Sequence, residues 1–422
     1  MSPPLSLLAY KLVTGLIEPA APLVLGARAL RGKEERARLN ERLGKGGGER
    51  PPGPLVWLHG VSVGEGVSLM PLIERLRSER PDLAILVTSG TRTAAALMAK
   101  RLPQGALHRF APIDTPRAVG RFLDHWRPNL GLFVVSELWP NLILAARARD
   151  VRLALVSARM TAASARGWSR GKAAARTVLE AFDVILPQDD ATAARLAMLG
   201  GHVTGRLNLK RMGAPLAADM RELRRLKAAI GKRRVILAAS THAGEETMVA
   251  IAVRGLSERP LLIVVPRHPE RGGAVAAELR ALGLRLARRS EQGVGGREDF
   301  ADIDAYVADT LGEIGLFYRL ASIAVMGGGF AAGVGGHNPM EAARLGVGVI
   351  SGPHVANHAD VYLQMAERGA AAIAADGEAL AAILAAPAAT KGLGPKARAF
   401  AQAQAGAFEA GWEMLQPLLP PA

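Results

Sequence analysis

The chain has no cysteine, so disulfides, thiolate metal centres, iron–sulfur clusters and cysteine nucleophiles are excluded together, and a reducing compartment fits. No glycine-rich phosphate loop ending in lysine occurs, nor His-Glu-x-x-His, nor Gly-x-Ser-x-Gly. Readings as a nucleoside triphosphatase, a zinc protease or a serine hydrolase therefore lose their main support, and group transfer without a metal is what remains. Acidic residues are in deficit, 38 against 53 lysines and arginines. The resulting charge of +15 predicts an anionic partner, whether nucleic acid, an acidic lipid surface or a phosphorylated substrate. Aromatics amount to 4%, which weighs against the stacking platforms used to hold nucleic acid, so no nucleic-acid partner is expected.

What is present is apolar and long: 422 residues, 49% of them hydrophobic, predict two domains with their own cores. Leu5 to Ala27 carries Lys11 and Glu18 as its only charges, with Pro19 and Pro22 interrupting it and no small-residue cleavage site. It is long enough to span a bilayer, which needs about 20 residues. Two charges and two prolines favour lying in the interface or spanning partway, so residues 1–27 are read as an uncleaved anchor. The following segment, 28–53, holds Arg28, Arg31, Lys33, Arg36, Arg38, Arg42, Lys45 and Arg50. It predicts a basic juxtamembrane helix drawn to anionic lipid on the cytoplasmic face of an inner membrane, followed by a flexible Gly/Pro joint at Gly44 to Pro54. An amphipathic helix followed by a solvated basic helix is the other reading of the same pattern.

From Leu55 onward, short apolar runs alternate with amphipathic stretches: LVWLHGV, LAILVTSG, LGLFVVSE, RLALVSA and VILPQ, then RRVILAAS, PLLIVVPR, DAYVAD, SIAVMGGG and VGVISGP. That alternation predicts an α/β fold of two doubly wound, Rossmann-like parallel-sheet domains, 54–211 and 212–395, facing across a cleft. Residues 396–422 are expected to form a helix packing back on the first domain. Ligands of such sheets sit at the carboxyl ends of the strands.

Those ends carry the candidate chemistry. The first strand leads through Gly60-Val61-Ser62-Val63-Gly64 to Glu65, whose carboxylate has the position of a general base. Ser62 and Glu65 also have the Ser-x-x-Glu spacing of a capping box, and both roles stay open from the residues alone. Pro71 would kink a helix that began at Ser62. Other strand ends carry Ser136-Glu137-Leu138-Trp139-Pro140-Asn141, Ser240-Thr241-His242 and Pro266-Arg267-His268. Arg267 and His268 suit a phosphate, or else a solvated loop. Thr310-Leu311-Gly312-Glu313 and Asn338-Pro339-Met340-Glu341 each open a helix where an anion could bind, with a glutamate for a ribose hydroxyl, although each also has the form of a simple cap. Asp302-Ile303-Asp304 has a metal-binding spacing but precedes a strand, and is read as a solvated turn.

Taken together, RGKEERARLNERLG, SVGEG, SELWPN, TGRLNLK, ASTHAGEE, VPRHPER, DTLGEIGLFY and GGHNPMEAARLG resemble the Kdo transferases of lipopolysaccharide biosynthesis. The likeness runs nearly end to end. It implies the GT-B fold, CMP-Kdo as donor substrate with no cofactor and no metal, and a lipid A precursor as acceptor at an anionic inner-membrane surface. By the same resemblance Glu65 matches the general base, and Glu137 and Lys210 match residues that stabilise the transition state. Arg267, His268, Gly312, Glu313, Ile314, Asn338, Pro339, Met340 and Glu341 match the CMP-binding motifs. Val135 and Ser136 replace the family's acidic-Thr pair, and Asn-Leu-Lys lies further from its glycine than usual. Alternatives are another GT-B enzyme using a UDP-sugar, whether transferase or epimerase, and a non-catalytic protein binding acidic lipid.

Overall fold

The computed structural model describes residues 3–134, 137–213, 215–292 and 300–421, so Val135 and Ser136 lie outside the described residues. The chain divides into two compact units, Met1–Gly213 with Ala405–Ala422, and Ala214–Gln404.

In the first unit the described strands are β1 (Leu55–His59), β2 (Ala84–Ser89), β3 (Ala106–Phe110), β4 (Leu130–Phe133), β5 (Arg152–Ala158) and β6 (Val184–Pro187). They pair in parallel in the order β3-β2-β1-β4-β5-β6. Alternation of side chains sends Leu55 and Trp57 into the core on one face and Val56 and Leu58 into that on the other. That two-sided burial is why the strand reads as an unbroken apolar run. In the second unit β7 (Val235–Thr241), β8 (Leu261–Pro266), β9 (Leu286–Arg288), β10 (Ala305–Val307), β11 (Ile323–Met326), β12 (Gly348–Ser351) and β13 (Ala371–Ile373) pair in the order β13-β12-β11-β7-β8-β10-β9. The strands not signalled by an apolar run are β3, β9 and β13, all at sheet edges and largely half-buried or exposed. The terminal helix Leu393–Leu415 gives Ala397 and Phe400 to the second unit's core and Trp412 and Leu415 to the first unit's.

The amino-terminal apolar stretch forms a helix Leu5–Ile17, a 3-10 turn Glu18–Ala20 and a helix Ala21–Leu30. Pro19 and Pro22 stand at first-turn positions, where a missing N–H leaves nothing unsatisfied, so they restart the helix rather than end it. One face is docked on the first unit. The Tyr10 hydroxyl donates to Asp114 at 2.9 Å, Asn141 Nδ2 to Thr14 Oγ1 at 2.9 Å, and the Arg117 amide to Glu18 at 3.1 Å. The other face leaves Leu5, Leu12, Leu16, Leu23 and Leu30 exposed.

Two expectations for 28–53 are corrected. Residues 36–42 form a 3-10 turn and one short helix rather than a long basic helix, and only part of the basic cluster faces solvent. Arg38 forks onto Glu41 at 2.8 Å through two nitrogens, Arg42 donates to the Ala111 carbonyl, and Arg50 donates to the Trp126 carbonyl at 2.7 Å. Arg31, Lys33, Arg36 and Lys45 remain exposed. Nor does the Gly/Pro segment behave as a loose joint: Gly44 lies so close to Ala118 that a Cβ would stand 2.0 Å from its carbonyl oxygen, and the Gly47 carbonyl accepts from Arg109. Here glycine serves close backbone approach, not freedom.

Candidate active site

A doubly wound sheet opens a ligand crevice where strand order reverses, between neighbours whose following helices go to opposite faces. In the first sheet that point lies between β1 and β4; in the second it lies between β7 and β11. The segments after all four strands carry polar groups.

After β1, Ser62 caps the helix Val63–Glu79 and Glu65 completes the capping box. The Val61 and Ser62 amides donate to Glu65 Oε2 at 2.8 and 2.9 Å, and the Glu65 amide donates to Ser62 Oγ at 3.3 Å. The cap, one of the two roles left open by the sequence, is therefore formed. A carboxylate has about four acceptor sites, so capping and accepting a proton are compatible in one group. Pro71 is held inside this helix, which runs on to Glu79.

After β4, Glu137 is exposed, just ahead of the helix Pro140–Arg147. The start of that helix is fixed by Asp114, which accepts from the Leu142 amide at 2.8 Å and the Asn141 amide at 3.2 Å. Burial pushes the Asp114 carboxyl above its ordinary range, against these bonds and that from Tyr10. Lys210 is exposed in the turn Leu209–Arg211, which packs against the helix bearing Glu65. Asn208 Oδ1 accepts from the Lys210 amide at 3.1 Å, and Ser157 Oγ from the Leu209 amide at 3.1 Å. Ser157 holds a left-handed backbone, φ 53°, where the β5–β6 register shifts. Such strain costs on the order of 1–3 kcal/mol, and Ser240 repeats it at the β7–β8 shift, φ 54°.

In the second unit, buried Glu245 ties the ends of β7 and β11 together. Its carboxylate accepts from the amides of His242 at 2.9 Å, Gly328 at 2.8 Å and Phe330 at 3.1 Å. Gly327 fits only without a side chain, since a Cβ would stand 2.3 Å from the Ser240 carbonyl oxygen. This clamp brings His242 Nε2 to 3.0 Å from His337 Nε2, with the rings stacked 8° apart. Burial first, then the neighbouring charges of His242, Arg267 and His358, pull His337 down to about 4. Arg267 and His268, at the end of β8, are exposed. Among the described residues no carboxylate pairs with Arg267, while His268 Nδ1 stands 3.6 Å from Glu270.

The remaining predicted donor residues divide. Gly312 is exposed with φ 82°, and Ile314 opens a seven-residue helix. The Glu313 carboxylate is bound by Arg289 at 2.7 and 3.1 Å and by Thr310, and Met340 lies in the core, so these two side chains belong to the fold. Asn338 Oδ1 accepts from the Met340 amide at 3.1 Å, and Pro339 is buried beside it. Half-buried Glu341 has its carboxyl pushed up by burial, with Arg344 opposing. Asp302 and Asp304 both face Arg285, at 3.3 and 3.5 Å. Asp114, Glu245 and His337 were not found from sequence as site residues. Only the Asp-Thr-Pro turn at Asp114 carried a usable signal, that of a helix start.

Two doubly wound parallel sheets with polar groups at both reversal points are the arrangement of the GT-B fold. A glycosyltransferase structure from Rickettsia africae shares this fold, with a TM-score of 0.52 and 12% identity over 88% of this chain and all of that one. The family model for 3-deoxy-D-manno-octulosonic-acid transferase (kdotransferase) matches residues 37–212. The 3-deoxy-D-manno-octulosonic acid transferase of Bordetella pertussis is 39% identical over 395 residues, covering 88% of this chain and 90% of its own. A probable mitochondrial enzyme of that name from Arabidopsis thaliana is 36% identical over 84% of this chain and 81% of its own. The chain belongs to the Kdo transferase family and is a glycosyltransferase.

Proposed function

We propose that the chain transfers Kdo from CMP-Kdo to the primary hydroxyl of a lipid A precursor, with inversion and without a metal, at the cytoplasmic face of the inner membrane. The observation that carries this reading is the pairing of roles: Glu65 and Glu137 follow the strands at one reversal point, and His242 and His337 follow those at the other, with Arg267, which no carboxylate pairs among the described residues, at the end of the adjoining β8. Glu65 takes the proton from the acceptor hydroxyl. As that oxygen bonds to the donor's anomeric carbon, the bond from this carbon to the phosphate oxygen breaks and its electron pair leaves with CMP. Attack opposite the leaving group inverts the centre. Arg267, His268 and Lys210 meet the negative charge that develops, and Glu137 also acts on the transition state. Glu341 accepts a ribose hydroxyl.

The amino-terminal segment supports membrane attachment in the plane of the interface. Leu5–Leu30 is long and apolar enough to cross a bilayer, yet its Glu18 side chain is buried on the first unit while one row of leucines stays exposed. An interfacial helix has that division of faces.

Purified protein given CMP-Kdo and a tetra-acylated precursor is expected to form product in the presence of a chelator. Abolition by the chelator and rescue by a divalent ion would contradict the metal-free reading. A second expectation concerns pH. A bound phosphate favours imidazolium, so CMP binding takes up a proton on His337, whose free value is about 4. As pH falls from about 7 towards 4, the affinity of the wild type relative to His337→Gln is expected to rise, by at most about tenfold per unit. Comparison with the variant cancels protonation of CMP itself; a flat ratio by calorimetry would remove His337 from the donor site.

A further inference from the structure

We infer that an apolar groove of the first unit holds an acyl chain of the lipid acceptor, which rests on the lipid acceptor proposed above. The groove has a volume of about 490 Å³. Leu7 and Tyr10 of the helix Leu5–Ile17 form one wall, Leu138 and Pro140 a second, and Gly167 and Trp168 of the helix Ala162–Ser169 a third. Tyr10 turns its hydroxyl onto Asp114 at 2.9 Å, so the tyrosine's one polar side-chain atom is already satisfied.

Three features select the occupant. Leu138, which lines the groove, directly follows Glu137 in sequence, so this wall is continuous with a residue assigned to the reaction. The Leu7–Tyr10 wall belongs to the helix whose neighbouring Leu5, Leu8 and Leu12 are exposed, which joins the groove to the face that meets lipid. Arg166, Arg170 and Lys172, exposed around the Gly167 to Gly171 wall in sequence, have no carboxylate partner among the described residues. An apolar chain attached to an anionic head group matches this combination, and an acceptor whose hydroxyl must reach Glu137's loop is better placed than a bulk phospholipid.

Gly167→Leu tests the assignment. A Cβ at Gly167 meets nothing within 4 Å, and leucine favours a helix more than glycine does, so the fold is retained while the side chain occupies the groove. Wild type is expected to show a lower KM for a long-chain precursor than for a short-chain one. Each methylene denied to the groove costs about fourfold in affinity, so Gly167→Leu should raise the long-chain KM by about tenfold or more. The short-chain KM, kcat and binding to anionic phospholipid vesicles should stay near wild type, and Gly167→Ala should lie close to wild type throughout. An unchanged long-chain KM, an equal rise for both precursors, or weakened vesicle binding with unchanged KM would overturn the inference; the last would make a bilayer lipid the occupant. A wild type inactive on every acylated precursor would instead overturn the lipid acceptor itself.

Discussion

Glu65→Gln is expected to lower turnover by about 10²–10⁴, the usual contribution of a general base, while CMP affinity and thermal stability stay near wild type. The separation is possible because the two roles of this side chain differ in what they require. The cap needs an oxygen that accepts from the Val61 and Ser62 amides, and glutamine at the third helical position supplies one. Proton transfer needs a basic carboxylate, which glutamine lacks. Glu65→Ala, by contrast, would lose both and is expected to cost about 0.5–2 kcal/mol of stability as well. Near-normal turnover of Glu65→Gln, measured at saturating donor and acceptor, would leave the residue a helix cap and nothing more.

Arg289→Met is expected to lower stability by about 3–5 kcal/mol, the cost of removing one member of a buried ion pair. At roughly 2–4 °C per kcal/mol, Tm of the second unit should drop by about 6–20 °C. The Arg289 side chain is fully buried and contacts Glu222 at 2.5 Å and Glu313 at 2.7 Å, so methionine would remove the cation these two carboxylates share and leave Glu222 with Arg225. The same cluster, together with Arg225, sets the pH response. Hydrogen bonding to Arg225, then to Arg289, holds Glu222 at about 2, below its ordinary 4.5. A depressed carboxylate stabilises the fold above its unfolded value, and that stability is lost as pH falls from about 4.5 to 2. This acid branch should be shallower in the variant. Because Glu313 sits between Gly312 and Ile314, donor KM should rise even at temperatures where the variant is folded. A variant with wild-type Tm and donor KM would show that the triad supports neither the unit nor the donor segment.

The sheets were legible where burial on both faces forces an unbroken apolar run, as in Leu55 to Leu58 or Leu261 to Val265. Edge strands such as Ala106–Phe110, with four half-buried positions in five, carry no such run. Capping at Glu65 was readable because its partner lies three residues away; the His242–His337 contact, 95 residues apart, leaves no local trace. Arginines misled for a related reason. Arg42 and Arg50 look like lipid-facing charge in sequence, but the five donors of a guanidinium also serve backbone carbonyls, and both donate to carbonyls of the first unit.

The most direct measurement is the mass of the product formed by purified protein from a tetra-acylated lipid A precursor offered CMP-Kdo or UDP-sugars in parallel. Acceptor mass increased by whole Kdo residues, from CMP-Kdo alone and not with Glu65→Gln, is the predicted result. An unchanged acceptor with CMP-Kdo, or sugar added from a UDP donor, would contradict it.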